Sequence, residues 1–132
     1  MERLKKVMII DNDNDVLDVM QEALTYEGFE VTVASQVDNI HSLLEQEKPD
    51  VILIDYILDG INGGEICHQV KTNPATSCLP VVIMSAYPKV LLSLGTYGCD
   101  KFIAKPFDLN NLTESINELF IPFSNSTKYV IK

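Results

Sequence analysis

The stretch Pro49-Asp50-Val51-Ile52-Leu53-Ile54-Asp55 limits the available folds more than any other part of the chain. Val51 to Ile54 are branched and apolar without a break, so neither face of this segment can turn to water. A run so short, with β-branched residues, is expected to be a strand covered on both sides, as strands of a parallel sheet are. It runs straight into a carboxylate, Asp55. Other apolar runs end in the same manner: Val7-Met8-Ile9-Ile10 in Asp11, Val81-Val82-Ile83-Met84 in Ser85, and Phe102-Ile103-Ala104 in Lys105-Pro106. Parallel sheets bind ligands outside the carboxyl ends of their strands. One sheet built from these runs would gather acids, a hydroxyl and a lysine along a single edge.

Helical patterns separate the runs. Val16 to Tyr26 puts Val16, Met20, Ala23 and Leu24 on one face with Val19 beside them, and Gly28 stops it. Phe29 to Val33 alternates Phe29, Val31 and Val33 against Glu30 and Thr32, as an edge strand does. Helices are expected from Val37 to Gln46 and from Glu65 to Lys71, the second after the turn-rich Asp59-Gly60-Ile61-Asn62-Gly63-Gly64. A short helix over Lys89 to Thr96 is limited by Gly95 and Gly98. Asp108 opens a final amphipathic helix carrying Leu112, Ile116, Leu119 and Phe120, which Pro122 ends. This alternation of strand and helix predicts a doubly wound α/β sandwich. Residues 1–121 are expected to form that single domain, with 122–132 a short C-terminal tail and no output domain.

Charge narrows the function. A formal charge of −9, from 10 basic and 19 acidic residues, argues against nonspecific nucleic-acid binding, which depends on neutralising phosphates. No apolar run approaches the roughly 20 residues needed to span a bilayer. Cys67, Cys78 and Cys99 are odd in number and lack metal-like spacing, so reduced, mostly buried thiols in a cytoplasmic protein are expected.

Taken together and in order, these strand ends resemble a response-regulator receiver domain, the fold of single-domain chemotaxis regulators. The resemblance rests on Ile9-Ile10-Asp11-Asn12-Asp13, Pro49 to Asp55, Pro80 to Ala86, and Lys105-Pro106-Phe107, and it covers Leu4 to Phe120. It implies a flavodoxin-like sheet of five parallel strands in the order 2-1-3-4-5 with five helices. It further implies a two-component phosphorylation switch, in which a histidine kinase or histidine phosphotransfer protein donates a phosphoryl group to one aspartate beside Mg²⁺. By the match Asp55 is the phosphoacceptor and a metal ligand, Asp11 the outer acid of the metal pocket, and the Ile57 carbonyl a further ligand. Ser85 and Lys105 would each meet a phosphoryl oxygen, and Pro106 resembles the family's cis-proline. Ser85 and Phe102 would form the switch pair, read out by an unknown downstream protein on the face of the fourth and fifth helices and last strand. Phe102 as plain edge-strand packing is the alternative. Self-association through the last helices is a further expectation, and neither nucleic acid nor membrane is an expected direct partner. Taken singly, Asp11 is also a fair helix cap and Ser85 a fair turn residue. Asp55 has the poorest such explanation, because a carboxylate in a buried strand is costly without a partner.

The chain departs from the family pattern at Asn12, where a second acid usually serves as the direct metal ligand. An amide oxygen still ligates, but a formal negative charge is lost, so weaker Mg²⁺ binding and impaired phosphorylation are expected. Asp13 stands one residue later as a compensating acid, although its position suits a helix cap better. Ile57 and Tyr87, bulky beside the pocket, are expected to hinder an attacking water. The competing reading is a phosphorylation-independent interaction module with a decayed site: Asn12 favours it, while Asp55, Ser85 and Lys105 oppose it. A phosphohydrolase or other α/β enzyme is disfavoured, since a second acid–base group is lacking and no G-x-x-x-x-G-K loop is present.

Overall fold

The computed structural model describes residues 3–87 and 98–120. Its strands are β1 (Lys6–Ile10), β2 (Glu30–Ala34), β3 (Val51–Asp55), β4 (Val81–Ser85) and β5 (Lys101–Ala104). All pair in parallel, in the order β2-β1-β3-β4-β5. The described helices are α1 (Asn14–Tyr26), α2 (Ile40–Glu47), α3 (Gly63–Thr72) and α4 (Leu109–Glu118). The architecture is the doubly wound sandwich expected from the alternation, in the flavodoxin-like strand order that the resemblance implied. The helix expected over Lys89 to Thr96 and the tail from residue 122 lie outside the described residues.

Strand periodicity divides the core in two. Val7, Ile9, Val51, Leu53, Val82 and Met84 face one side, where Leu17, Met20 and Leu24 of α1 and Leu112 and Ile116 of α4 cover them. Met8, Ile10, Ile52, Ile54, Val81 and Ile83 face the other, under Ile40 and Leu44 of α2 and Ile66, Cys67 and Val70 of α3. Burial on both faces is the reason β3 and β4 carry no polar residue before their last position.

Helix starts are fixed by side-chain caps that satisfy otherwise orphaned amides. Asp13 accepts from Asp15 and Val16, Asn39 from Ser42, Asn62 from Glu65, and Asp108 from Asn110 and Asn111. Asn62 as a cap starts α3 at Gly63, two residues before the apolar spacing does. Asn39 starts α2 at Ile40, later than Val37. On α1 the buried residues are Leu17, Met20 and Leu24; of the expected face Met20 and Leu24 are buried, Val16 packs on the core and Ala23 is half-buried, while Leu17 was not expected there and Val19 is 62% exposed. Leu17, Met20 and Leu24 fall at the i, i+3, i+7 spacing of one face, with Val16 and Ala23 at its edge. On the edge strand β2, Val31 packs on the core, but Val33 is exposed. Among the cysteines only Cys67 is buried, its thiol pushed by burial up to about 12, while Cys99 is half-buried and Cys78 exposed. No described helix is long and apolar enough to cross a membrane.

Candidate functional site

Register brings the first two acids together. Val7 to Ile10 pair with Val51 to Ile54 position by position, so one further step sets Asp11 beside Asp55. Both continue the face of Ile9 and Leu53, toward α1 and α4. The next ladder pairs Asp55 with Met84, and the one after pairs Ser85 with Ala104. Lys105 follows at once, its backbone N–H donating to the Ser85 carbonyl at 2.8 Å. The Lys105–Pro106 peptide is cis, as the resemblance implied.

Among the described residues, the polar or charged residues that are buried are Asp11, Asp55 and Ser85. All lie at this edge. Lys105 Nζ stands 3.0 Å from Asp11 Oδ2 and 2.9 Å from Asp55 Oδ1. The free oxygen of Asp11 accepts from the Asp13 N–H at 2.9 Å. Asp55 also accepts from the Ile57 backbone N–H. One lysine thus serves two carboxylates.

That shortage sets the electrostatics. Burial raises the Asp55 pKa above the ordinary carboxylate range; Lys105 opposes the rise and Asp11 adds to it. For Lys105, burial pulls the ammonium down, but the bonds and charges of Asp55 and Asp11 outweigh it and the net shift is upward. Ser85 Oγ accepts from the Tyr87 N–H at 2.9 Å, so its own proton remains to be donated.

The oxygens present suit a hard cation. Two carboxylates lie together, with the Asn12 amide and the Ile57 carbonyl on the flanking loops. Mg²⁺ prefers oxygen ligands, keeps several waters and commonly takes only one or two carboxylates. Among the described residues no group of three or more His, Cys, Asp or Glu side chains is placed to hold a metal. The residues that would hold Mg²⁺ are Asp11, Asp55, Asn12 and the carbonyl of Ile57. Asp13 is committed elsewhere, its Oδ1 capping α1 at 3.0 and 3.3 Å. Phe102 is half-buried against the core on the α2–α3 side.

Two contributors escaped the sequence reading. Gly63, the first residue of α3, lies so close to β3 that an added Cβ would sit 2.4 Å from the Asp55 carbonyl oxygen. Its N–H donates to the Tyr56 carbonyl at 2.8 Å, which pins α3 behind Asp55. In sequence it was only one of several turn formers. Asp59, in the loop after β3, accepts from the Asn12 amide at 3.5 Å, a contact between residues 47 apart that no local pattern signals.

Comparison with known proteins agrees with this fold. The family model of the response regulator receiver domain matches residues 7–117. The chain belongs to that family. It is 26% identical over 119 residues to the phosphate regulon transcriptional regulatory protein PhoB of Rhizobium meliloti, covering 88% of this chain and 52% of that protein. The chain spans about half the length of the curated relatives it matches. The receiver domain protein of Methanospirillum hungatei superposes with a TM-score of 0.77 at 27% identity, over 88% of this chain and 93% of that one. TrrA of Thermotoga maritima, solved in complex with Mg²⁺-BeF, shares the fold with a TM-score of 0.79 at 20% identity, over 88% and 99%.

Proposed function

We propose that the chain is a phosphorylation switch in which Asp55 accepts a phosphoryl group from a histidine kinase or histidine phosphotransfer protein. The observation that carries this reading is the placement of the buried Asp11, Asp55 and Ser85 at one sheet edge, with Lys105 spanning both acids. A purely structural site would pair each buried acid with its own cation. Here Asp55 is under-compensated and raised, a state suited to exchanging partners. The Mg²⁺-BeF complex of TrrA supports Mg²⁺ as the cofactor.

An Asp55 carboxylate oxygen attacks the phosphorus of a phosphohistidine. The O–P bond forms as the N–P bond breaks, and the imidazole keeps the electron pair and takes a proton from water. Mg²⁺, when bound, neutralises the phosphoryl oxygens that the carboxylate must approach. Lys105 exchanges a carboxylate oxygen for a phosphoryl oxygen as a point charge. Ser85 donates its hydroxyl proton to another. Phe102 moves behind Ser85, and the changed surface around β5 and α4 selects the downstream protein, a population shift between two arrangements. Ile57 and Tyr87, 53% and 58% exposed, hinder the water that would hydrolyse the acyl phosphate. Faster decay in Ile57→Asn and Tyr87→Ala is expected, and unchanged decay would remove them from the mechanism.

The test is intact mass after incubation with acetyl phosphate and Mg²⁺. One phosphoryl adduct is expected, absent in Asp55→Asn and absent without metal. No adduct in the native protein, with recovery in Asn12→Asp, would show a metal-poor pocket. No adduct in either form would overturn the switch in favour of a phosphorylation-independent interaction module.

A further inference from the structure

We infer that Asp59 is a positioning residue that supplies, through Asn12, the negative charge the metal pocket lacks. The inference rests on the reading of this edge as an Mg²⁺ site. An amide binds a cation only through its oxygen, so its usefulness as a ligand depends on which end is held elsewhere. Asn12 Nδ2 donates to Asp59 Oδ1 across the mouth between the β1–α1 and β3–α3 loops. That contact occupies the donor end and leaves the oxygen as the end able to serve a metal. A carboxylate on the N–H₂ group also draws electron density toward the amide oxygen, as carboxylates behind metal-bound histidines raise ligand basicity.

The other candidates for this role are accounted for. Asp13, adjacent in sequence, spends its carboxylate on the α1 cap. Asp59 does not join Asp11 and Asp55 in a three-acid cluster, since the described residues hold no such group. Its route to the cation therefore runs through Asn12. The contact is 3.5 Å long, the upper end of hydrogen-bond range, and has room to tighten when a cation draws on the amide. The pair also ties the loop carrying Asp59 and Gly60 to metal loading. Gly60, at φ +85°, is the residue that lets the chain turn there.

The test is calorimetric titration of the whole chain with MgCl₂ and no phosphoryl donor. Asp59→Asn is expected to weaken Mg²⁺ binding by roughly tenfold, the usual cost of removing a partner behind a metal ligand. Glu114→Gln, which removes an exposed charge from α4, should change it less than about twofold, as screening of distant surface charge dictates. In an Asn12→Asp background the loss on Asp59→Asn should shrink to a few-fold at most, because a carboxylate ligand has no amide end for Asp59 to hold. Unchanged metal-free melting temperatures separate the effect from unfolding. Equal losses in both backgrounds, or no loss at all, overturn the inference while leaving the switch standing. A native chain that binds no Mg²⁺ overturns the inference and the metal site together.

Discussion

The two ends of β3 carry aspartates of similar burial and opposite character. The Asp50 side chain is 17% exposed and that of Asp55 12%. Asp50 has a guanidinium to itself: Arg3 bonds both its oxygens at 2.8 Å, and the Lys6 backbone N–H adds a third bond at 2.7 Å. Those bonds hold its carboxyl below the usual range. Asp55 shares a single ammonium with Asp11, and burial lifts it above that range. Asp100 repeats the first pattern at the start of β4, accepting from the Val81 N–H at 2.7 Å and pairing with Lys71 at 2.8 Å. Acids at the amino edge therefore tie the sheet together, each with a cation to itself, whereas the two acids at the carboxyl edge share one ammonium. Burial alone does not distinguish the two ends; the sharing of a cation does.

The contrast can be broken from either end. The largest effect is expected for Lys105→Met, which leaves Asp11 and Asp55 without their shared cation and costs about 3 kcal/mol near neutrality. Because the Asp55 pKa is raised, acidification neutralises it early, and the penalty should shrink as pH falls toward the carboxylate range. A chemical-denaturation series against pH measures this. A pH-independent penalty would mean that the lysine acts through packing.

Next comes Gly63→Ala, whose Cβ must displace the Asp55 carbonyl or the Ile54 side chain. Overpacking of that kind costs about 2 kcal/mol. Shifts confined to Tyr56 would place the strain away from Asp55, whereas amide shifts at Asp55 are expected.

Asp50→Ala removes charge-assisted bonds and should cost about 1.5 kcal/mol at neutral pH. Its depressed pKa means that this contribution is present above the ordinary carboxylate value and is lost as pH falls through the folded value. Asp55→Asn should do the reverse. An acid raised in the fold loses stability as pH rises from its unfolded to its folded pKa, so the amide should gain roughly 1 kcal/mol near neutrality, and the gain should disappear in acid. Matched thermal melts of these variants at neutral and acid pH give both signs.

Much of this was legible in the chain. The unbroken apolar runs of β3 and β4 gave sheet type and strand direction, and polar residues placed after such runs gave the site edge. Asp13, Asn39, Asn62 and Asp108 are typical caps, but the starts that Asn39 and Asn62 set at Ile40 and Gly63 were not read from them. On α1 Leu17 was missed and Val19 placed inward, because neighbouring stripes both have helical spacing and packing on the sheet selects between them. Gly63 and Asp59 stayed hidden for another reason. Each matters through a residue on a different element, Asp55 or Asn12, and no periodicity encodes such contacts. The same holds for Asp50, whose partner Arg3 lies 47 residues away.

The most direct measurement is a carboxyl carbon NMR titration of the native, metal-free chain, following Asp50 and Asp55 in one sample. The prediction is that Asp55 titrates above the ordinary aspartate value and Asp50 below it. Coincident titrations, or the opposite order, would contradict the division of β3 into an end whose acid holds a cation alone and an end whose acid shares one.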